Sequence, residues 1–319
     1  MNYKVKITPK IRANLAISIT VIFWGMSFVS SKAVLNTGIP PFTMAFLRFL
    51  IASALLFPVY KKLELDKRMR IKTREFPILL ISALFGVTIY FLFETIGIKL
   101  TSASTASMII ASIPVFTVCA EFAIYRKRIP PLKWLGVLLS VAGVYFIIKE
   151  EQVHQSTPES FIGNLLMLGA CISWVIYIIA SKSIRKSFSG LALTTYQTLL
   201  GTLFLLPLAL LEHDSWISIP AIAWFNILYL AVFCSAISYF LYIYSLTYLD
   251  SVIVSSYTNL IPVVSTFGGI FILGEKIMLR QILGGLIVIA GVFIVNLNKP
   301  SINRIFNRTV SLEVYDKHP

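Results

Sequence analysis

Charge is scarce in this 319-residue chain: Asp, Glu, Lys and Arg make up 13% of it, and most of them lie outside the apolar stretches. Only three histidines occur, His154, His213 and His318, all in loops or the tail, and no pair of aspartates falls within an apolar stretch. A nucleophile with its base, a metal cluster and an Asp-rich diphosphate site are therefore lacking, which argues against a membrane-embedded enzyme. No Gly-x-x-x-x-Gly-Lys loop is present to cradle phosphates, so ATP hydrolysis is not expected. Cysteine is rare too. Cys119, Cys171 and Cys234 sit in three different apolar stretches, where packing as small hydrophobes is expected rather than a disulfide framework. No metal or other cofactor is implied.

What the chain has in excess is apolar surface. It is 57% hydrophobic with a mean hydropathy of +0.82, more than a water-soluble domain can bury. Read against the roughly 20 residues that cross a bilayer, the sequence offers windows near 13–34, 42–60, 77–98, 103–124, 132–149, 161–181, 191–211, 222–246, 252–273 and 280–297. Lipid cannot satisfy backbone polar groups, so these are expected to be helices.

The second half repeats the first. Trp24 and Lys32 match Trp174 and Lys182 at a spacing of 150, and Pro58 matches Pro207 at 149. Ser107, Pro114, Gly136 and Gly143 match Ser255, Pro262, Gly284 and Gly291 at 148. Short loop deletions account for the drift. Because each copy holds five spans, an odd number, the second must enter the membrane from the opposite side. The expected fold is an all-α integral membrane protein with ten transmembrane helices in two inverted five-helix repeats, an arrangement used by secondary transporters. The expected division is an N-terminal segment 1–12, a first repeat 13–149, an external linker 150–160, a second repeat 161–297 and a tail 298–319.

The net charge of +14 is a matter of orientation rather than of nucleic acid. Of 28 Lys and Arg, 22 fall on one side if both termini are cytoplasmic, and five, Lys32, Lys99, Lys149, Lys276 and Arg280, on the other. That bias satisfies the positive-inside rule. The expected setting is a cell membrane, with the lipid bilayer and a small-molecule substrate as partners.

Phe23-Trp24-Gly25-Met26-Ser27-Phe28 ending at Lys32, Leu47-Arg48-Phe49, the run Thr101 to Ala106 leading to Pro114, and Leu273-Gly274-Glu275 before Gly284 together resemble the EamA branch of the drug/metabolite transporter superfamily. The resemblance covers roughly residues 13–297. It implies ten helices, cytoplasmic termini, a central cavity between the halves and export or exchange of small metabolites. The family often repeats Gly-Glu after span four, but the position matching Glu275 is Lys127 here, so no coupling role is carried onto Glu275.

Polar residues within spans point to a pathway. Ser251, Ser255, Asn259, Pro262 and Thr266 follow helical steps along span nine, and Ser104, Ser107, Pro114 and Glu121 follow the same phase in span four. A mid-span proline bends its helix and frees a carbonyl, so Pro114 and Pro262 are expected to mark cavity-lining helices. Plain interhelical hydrogen bonding explains the same hydroxyls without a cavity. Trp24 and Trp174 are matched, as are Tyr90 with Ser238 and Glu94 with Tyr242, and aromatic walls with a few hydroxyls suit amino acids or related amphipathic solutes. Aromatic stripes also serve simple packing. Arg48, Glu94 and Glu121 are ionisable groups inside spans, each a functional candidate. Glu121 is expected to reach the surface near Arg126. Arg48 and Glu94 are expected to form an ion pair or a short polar network closing the outer side of the cavity. Spans five and ten carry glycines but almost no polar atoms, which suits scaffold or homodimer contacts. The alternatives to metabolite efflux are a sugar or nucleotide-sugar permease, a channel, or a structural membrane subunit.

Overall fold

The computed structural model of the protein describes residues 9–64, 73–126, 130–154, 158–185, 187–216, 218–249, 253–254 and 257–296. Among them every regular element is helical. In chain order these are α1 Pro9–Leu35 and α2 Pro41–Glu64, α3 Phe76–Leu100 and α4 Ala103–Ile124. They continue with α5 Pro131–His154, α6 Pro158–Ile184 and α7 Gly190–Leu211, α8 Ala221–Tyr248 and α9 Thr258–Leu273, and α10 Leu279–Asn296. The first eight are long and apolar enough to cross a membrane, while α9 and α10 are shorter apolar helices. Ser251 and Ser255, expected on span nine, lie outside the described residues, as does Lys127.

The helix starts reflect local chemistry. Prolines stand in the first turn of α1, α2, α3, α5 and α6, where a missing N–H costs nothing. Ser102 and Ser189 cap α4 and α7 by accepting from the N–H groups of Thr105 and Ala192, each at 3.0 Å. At its other end α9 stops on Gly274 with φ of 67°, a left-handed residue open to glycine. The matching residue after α4 is Arg126, with φ of 48°. A side chain in that conformation costs roughly 1–2 kcal/mol.

Among the described residues, four helices are irregular inside. In α4 the regular helix halts at Ala111 and Ser112 and resumes at Ile113 with Pro114 in its first turn. In α9 a tight turn over Thr258–Leu260 passes into the helix that begins at Ile261, again with proline second. Each proline lacks the N–H needed to continue the preceding turn. Helices α3 and α8 carry widened π turns at Leu84–Ile89 and Leu230–Ile237. A single residue inserted this way rotates the C-terminal remainder of the helix by about 100°.

Helix α5 packs on α10, α2 on α7, α3 on α6, α1 on both α8 and α9, and α4 on α6. A methyl group on Gly143 would strike the Gly284 carbonyl, and one on Gly291 the Gly136 carbonyl, so α5 and α10 approach through their glycines within one chain. Between them Ser140 Oγ donates to the Val288 carbonyl at 3.3 Å. Outward-facing side chains are strongly apolar: Leu15, Ile19 and Ile22 on α1, Leu138, Val141 and Tyr145 on α5, and Phe267 and Phe271 on α9 are all exposed. Water would not tolerate such a surface, whereas lipid would.

Candidate functional site

A small cavity lies where α1, α2, α3, α4, α6, α8 and α9 converge. Trp24, Ser27 and Phe28 line it from α1, Arg48 from α2, and Tyr90, Phe91 and Glu94 from α3. Ile110 and Ile113 flank the break in α4, while Thr258 and Ile261 flank the tight turn of α9. Trp174 and Tyr239 complete the wall. Its volume is about 20 Å³, room for roughly one water. Aromatic rings fill most of the space between these helices in this conformation.

The rings hold one another and the widened turns. Trp24 and Trp174 meet edge to face with centroids 5.4 Å apart, and Tyr239 stands 5.9 Å from the first and 5.8 Å from the second. Such pairs add about 0.5–1.5 kcal/mol beyond burial. A π turn leaves carbonyls without their usual helical donors, and here side chains supply replacements. Trp24 Nε1 donates to the Cys234 carbonyl at 3.0 Å, and Tyr239 Oη to the Gly86 carbonyl at 3.0 Å. Ser238 Oγ donates to the Phe233 carbonyl at 2.7 Å and Ser173 Oγ to the Phe85 carbonyl at 2.6 Å.

Two opposite charges face this cavity. Arg48 is 2% exposed and Glu94 is 3% exposed. Arg48 Nε donates to Ser235 Oγ at 2.6 Å, and its guanidinium carbon lies 4.5 Å from the Phe91 ring centre and 5.5 Å from that of Phe49. Cation–π contacts of this kind contribute about 0.5–2 kcal/mol where water is excluded. Glu94 Oε1 accepts from Tyr90 Oη at 3.2 Å. No direct ion pair joins the two: Arg48 Nη1 and Glu94 Oε2 are both buried without a hydrogen-bond partner. Of the expected ion pair or short polar network, the direct bond is absent between these two side chains, with Ser235 and Phe91 against Arg48 and Tyr90 against Glu94.

The remaining expected site residues occupy varied positions. Tyr242 is fully buried behind the tryptophans, its ring 5.1 Å from Trp24 and 5.7 Å from Trp174, with its hydroxyl unpartnered. Ser107 is buried and donates to the Ser104 carbonyl at 2.7 Å, and Ser238 is turned to its own π segment. Asn259 is half-buried beside Thr258 with an unpartnered Oδ1. Pro114 and Pro262 adjoin the cavity-lining Ile113 and Ile261 rather than line the cavity themselves. Ser255 lies outside the described residues. Glu121 pairs with Lys182 at 3.7 Å rather than with Arg126. Sequence reasoning passes over Phe91, Tyr239, Ser235 and Gln197. Phe91 and Tyr239 are separated by the repeat spacing of 148, a signal that could have found them. Gln197 stands 149 residues after Arg48; it is buried and donates to Ser82 Oγ at 2.9 Å and Ser181 Oγ at 2.8 Å.

Carboxylates close the bundle at both ends. At one end Glu212 accepts from the N–H groups of Phe42 and Thr43 at 3.1 and 2.7 Å and from Thr43 Oγ1 at 2.9 Å. Glu275 does the same at the start of α4, accepting from Ala103 N at 2.7 Å, Ser104 N at 3.1 Å and Ser104 Oγ at 2.5 Å. Lys32 Nζ at this end caps α3 by donating to the carbonyls of Ile98, Lys99 and Thr101 at 2.8, 3.1 and 2.6 Å. At the opposite end Glu64 accepts from the Ser189 hydroxyl and Glu75 from the Ser187 hydroxyl.

Comparison with known proteins fits this arrangement. The profile of the EamA-like transporter family matches residues 11–149 and again residues 161–297. An uncharacterized transporter of Archaeoglobus fulgidus is 32% identical over 287 residues, covering 89% of this chain and 96% of the relative. The uncharacterized transporter YetK of Bacillus subtilis is 27% identical over 298 residues, with 92% and 90% covered. A solved crystal structure superposes with a TM-score of 0.64 at 17% identity, covering 89% of this chain and 96% of the other, a likeness of fold alone.

Proposed function

The chain belongs to the EamA-like transporter family and is a multi-pass membrane protein, and from that premise we propose that it is a secondary transporter, not an enzyme. It exports or exchanges a small metabolite, amino acids or related amphipathic solutes, across the cell membrane by alternating access. The frame is ten helices in two inverted five-helix repeats with both termini cytoplasmic. Contacts between repeat mates support the frame: Trp24 with Trp174, Ser53 Oγ with Thr202 Oγ1 at 3.0 Å, and Ser140 with Val288. Residues related by a two-fold axis meet their own mates only near that axis. The distribution of Lys and Arg supports the orientation, which places the Glu212 and Glu275 end outside.

The observation that carries this reading is the buried Arg48 and Glu94 facing one cavity at the junction of the two halves. Ionisable groups inside a membrane protein are costly, about 2.5–3.5 kcal/mol on insertion scales, and mark solute pathways. The helix breaks at Pro114 and Pro262 give each half a hinge beside the cavity, so rocking of one half against the other can open it to either side. Counterflow in proteoliposomes tests the proposal. Preloaded unlabelled solute is expected to drive transient accumulation of labelled solute, whereas flux that follows the gradient without exchange would mean a channel.

A further inference from the structure

Arg48 and Glu94, a basic and an acidic side chain, face the same cavity without a direct bond to each other. Each keeps one buried polar atom without a partner, Nη1 on the arginine and Oε2 on the glutamate. Instead of a direct bridge, Arg48 is held by the Ser235 hydroxyl and the Phe91 ring and Glu94 by the Tyr90 hydroxyl. Orphaned buried polar atoms of opposite sign at two points of one cavity call for a ligand with the complementary pair.

Resting on the transporter reading above, we propose that Arg48 and Glu94 are the specificity-determining poles of the cavity, selecting a dipolar solute that carries an anionic and a cationic group on an apolar body. Arg48 receives the carboxylate and Glu94 the ammonium group, while Trp24, Trp174 and Tyr239 cover the apolar part. Repeat symmetry adds a consequence. The mate of Arg48 is Gln197 and that of Glu94 is Tyr242, both uncharged. Both poles therefore belong to the first half, and the solute stays bound to that half by its charged ends while the second half moves across its apolar face. A solute with one net charge would leave one pole buried and unmatched, the more costly outcome in low dielectric.

The test measures binding to the full-length protein in nanodiscs by thermal shift and tryptophan fluorescence, using leucine and phenylalanine, their methyl esters, and their N-acetyl derivatives. The wild-type protein is expected to bind at least one free amino acid tenfold or more tighter than either of its singly charged analogues. Arg48→Gln is expected to reverse the preference towards the ester, and Glu94→Gln towards the N-acetyl form, while Arg48→Lys, which keeps the charge, retains the wild-type order. Equal binding of all three forms, an unchanged order in both glutamine variants, or binding of no probe overturns the proposal. Counterflow on the same preparation separates the two readings. Exchange of a solute bound without regard to charge upholds transport and removes the poles. Charge-ranked binding with no counterflow of any solute upholds the poles and removes transport.

Discussion

At one end of the bundle Glu212 and Glu275 each grip two successive backbone N–H groups and a hydroxyl, whereas at the other Glu64 and Glu75 are met by the hydroxyls of Ser189 and Ser187. Both arrangements join elements of the first half to elements of the second. They differ in what must be broken to part them. A carboxylate at a helix N-terminus satisfies donors that have no other partner and lies at the positive end of the helix dipole. Each charge-assisted bond contributes about 1.5–3 kcal/mol, and three per glutamate make the Glu212 and Glu275 clasps costly to break. The sequence carries the same asymmetry: Glu275 follows Gly274, but the matching pair in the first half is Arg126-Lys127. A lysine there cannot serve as the carboxylate clasp of a helix start.

Removing the clasps should have the largest effect. The double variant Glu212→Ala with Glu275→Ala is expected to lose more than tenfold in exchange rate at equal membrane expression, and each single variant several-fold, measured by counterflow. If the double variant exchanges at the wild-type rate, the two ends do not differ as described. Next come the helix breaks. Pro114→Ala and Pro262→Ala are each expected to slow exchange several-fold by letting α4 and α9 run straight past the cavity, while Pro58→Ala, away from it, stays within twofold. Equal rates in all three would detach the breaks from transport.

Smaller effects belong to the opposite end. Ser189→Ala removes an N-cap and a contact to Glu64, with an expected loss of about 1 kcal/mol in thermal or denaturant stability, less than Glu212→Ala costs. A larger loss from Ser189→Ala would invert the comparison. Smallest is the Glu121–Lys182 pair, whose side chains are 28% and 45% exposed. A double-mutant cycle is expected to give under about 1 kcal/mol.

How far the sequence can be read depends on whether a helix keeps its period. The spacing of 150 that pairs Trp24 with Trp174 is met by rings in contact, and Arg48, Tyr90 and Glu94 face one cavity with them. On α8 Tyr239 lines the cavity, while Ser238 donates to the Phe233 carbonyl of the π turn at Leu230–Ile237 and Tyr242 packs against both tryptophans. No propensity in that run announces the extra residue. Ser107 lies in the regular turn before the break at Ala111 and donates to the Ser104 carbonyl, and Asn259 lies within the tight turn over Thr258–Leu260. Glu275 escapes a reading by symmetry because its mate is a lysine. Symmetry is a good guide to shared scaffold and a poor one to parts that only one half needs.

The most direct test of alternating access through unequal ends uses Ser27, a buried cavity-lining residue. Ser27→Cys is placed in a chain whose Cys119, Cys171 and Cys234 are replaced by alanine, and a membrane-impermeant thiol reagent is applied from either side in turn. Labelling is expected to be faster from the cytoplasmic side, and Glu212→Ala with Glu275→Ala should shift it towards the outside. Equal labelling from both sides, unchanged by loss of the clasps, would contradict the account.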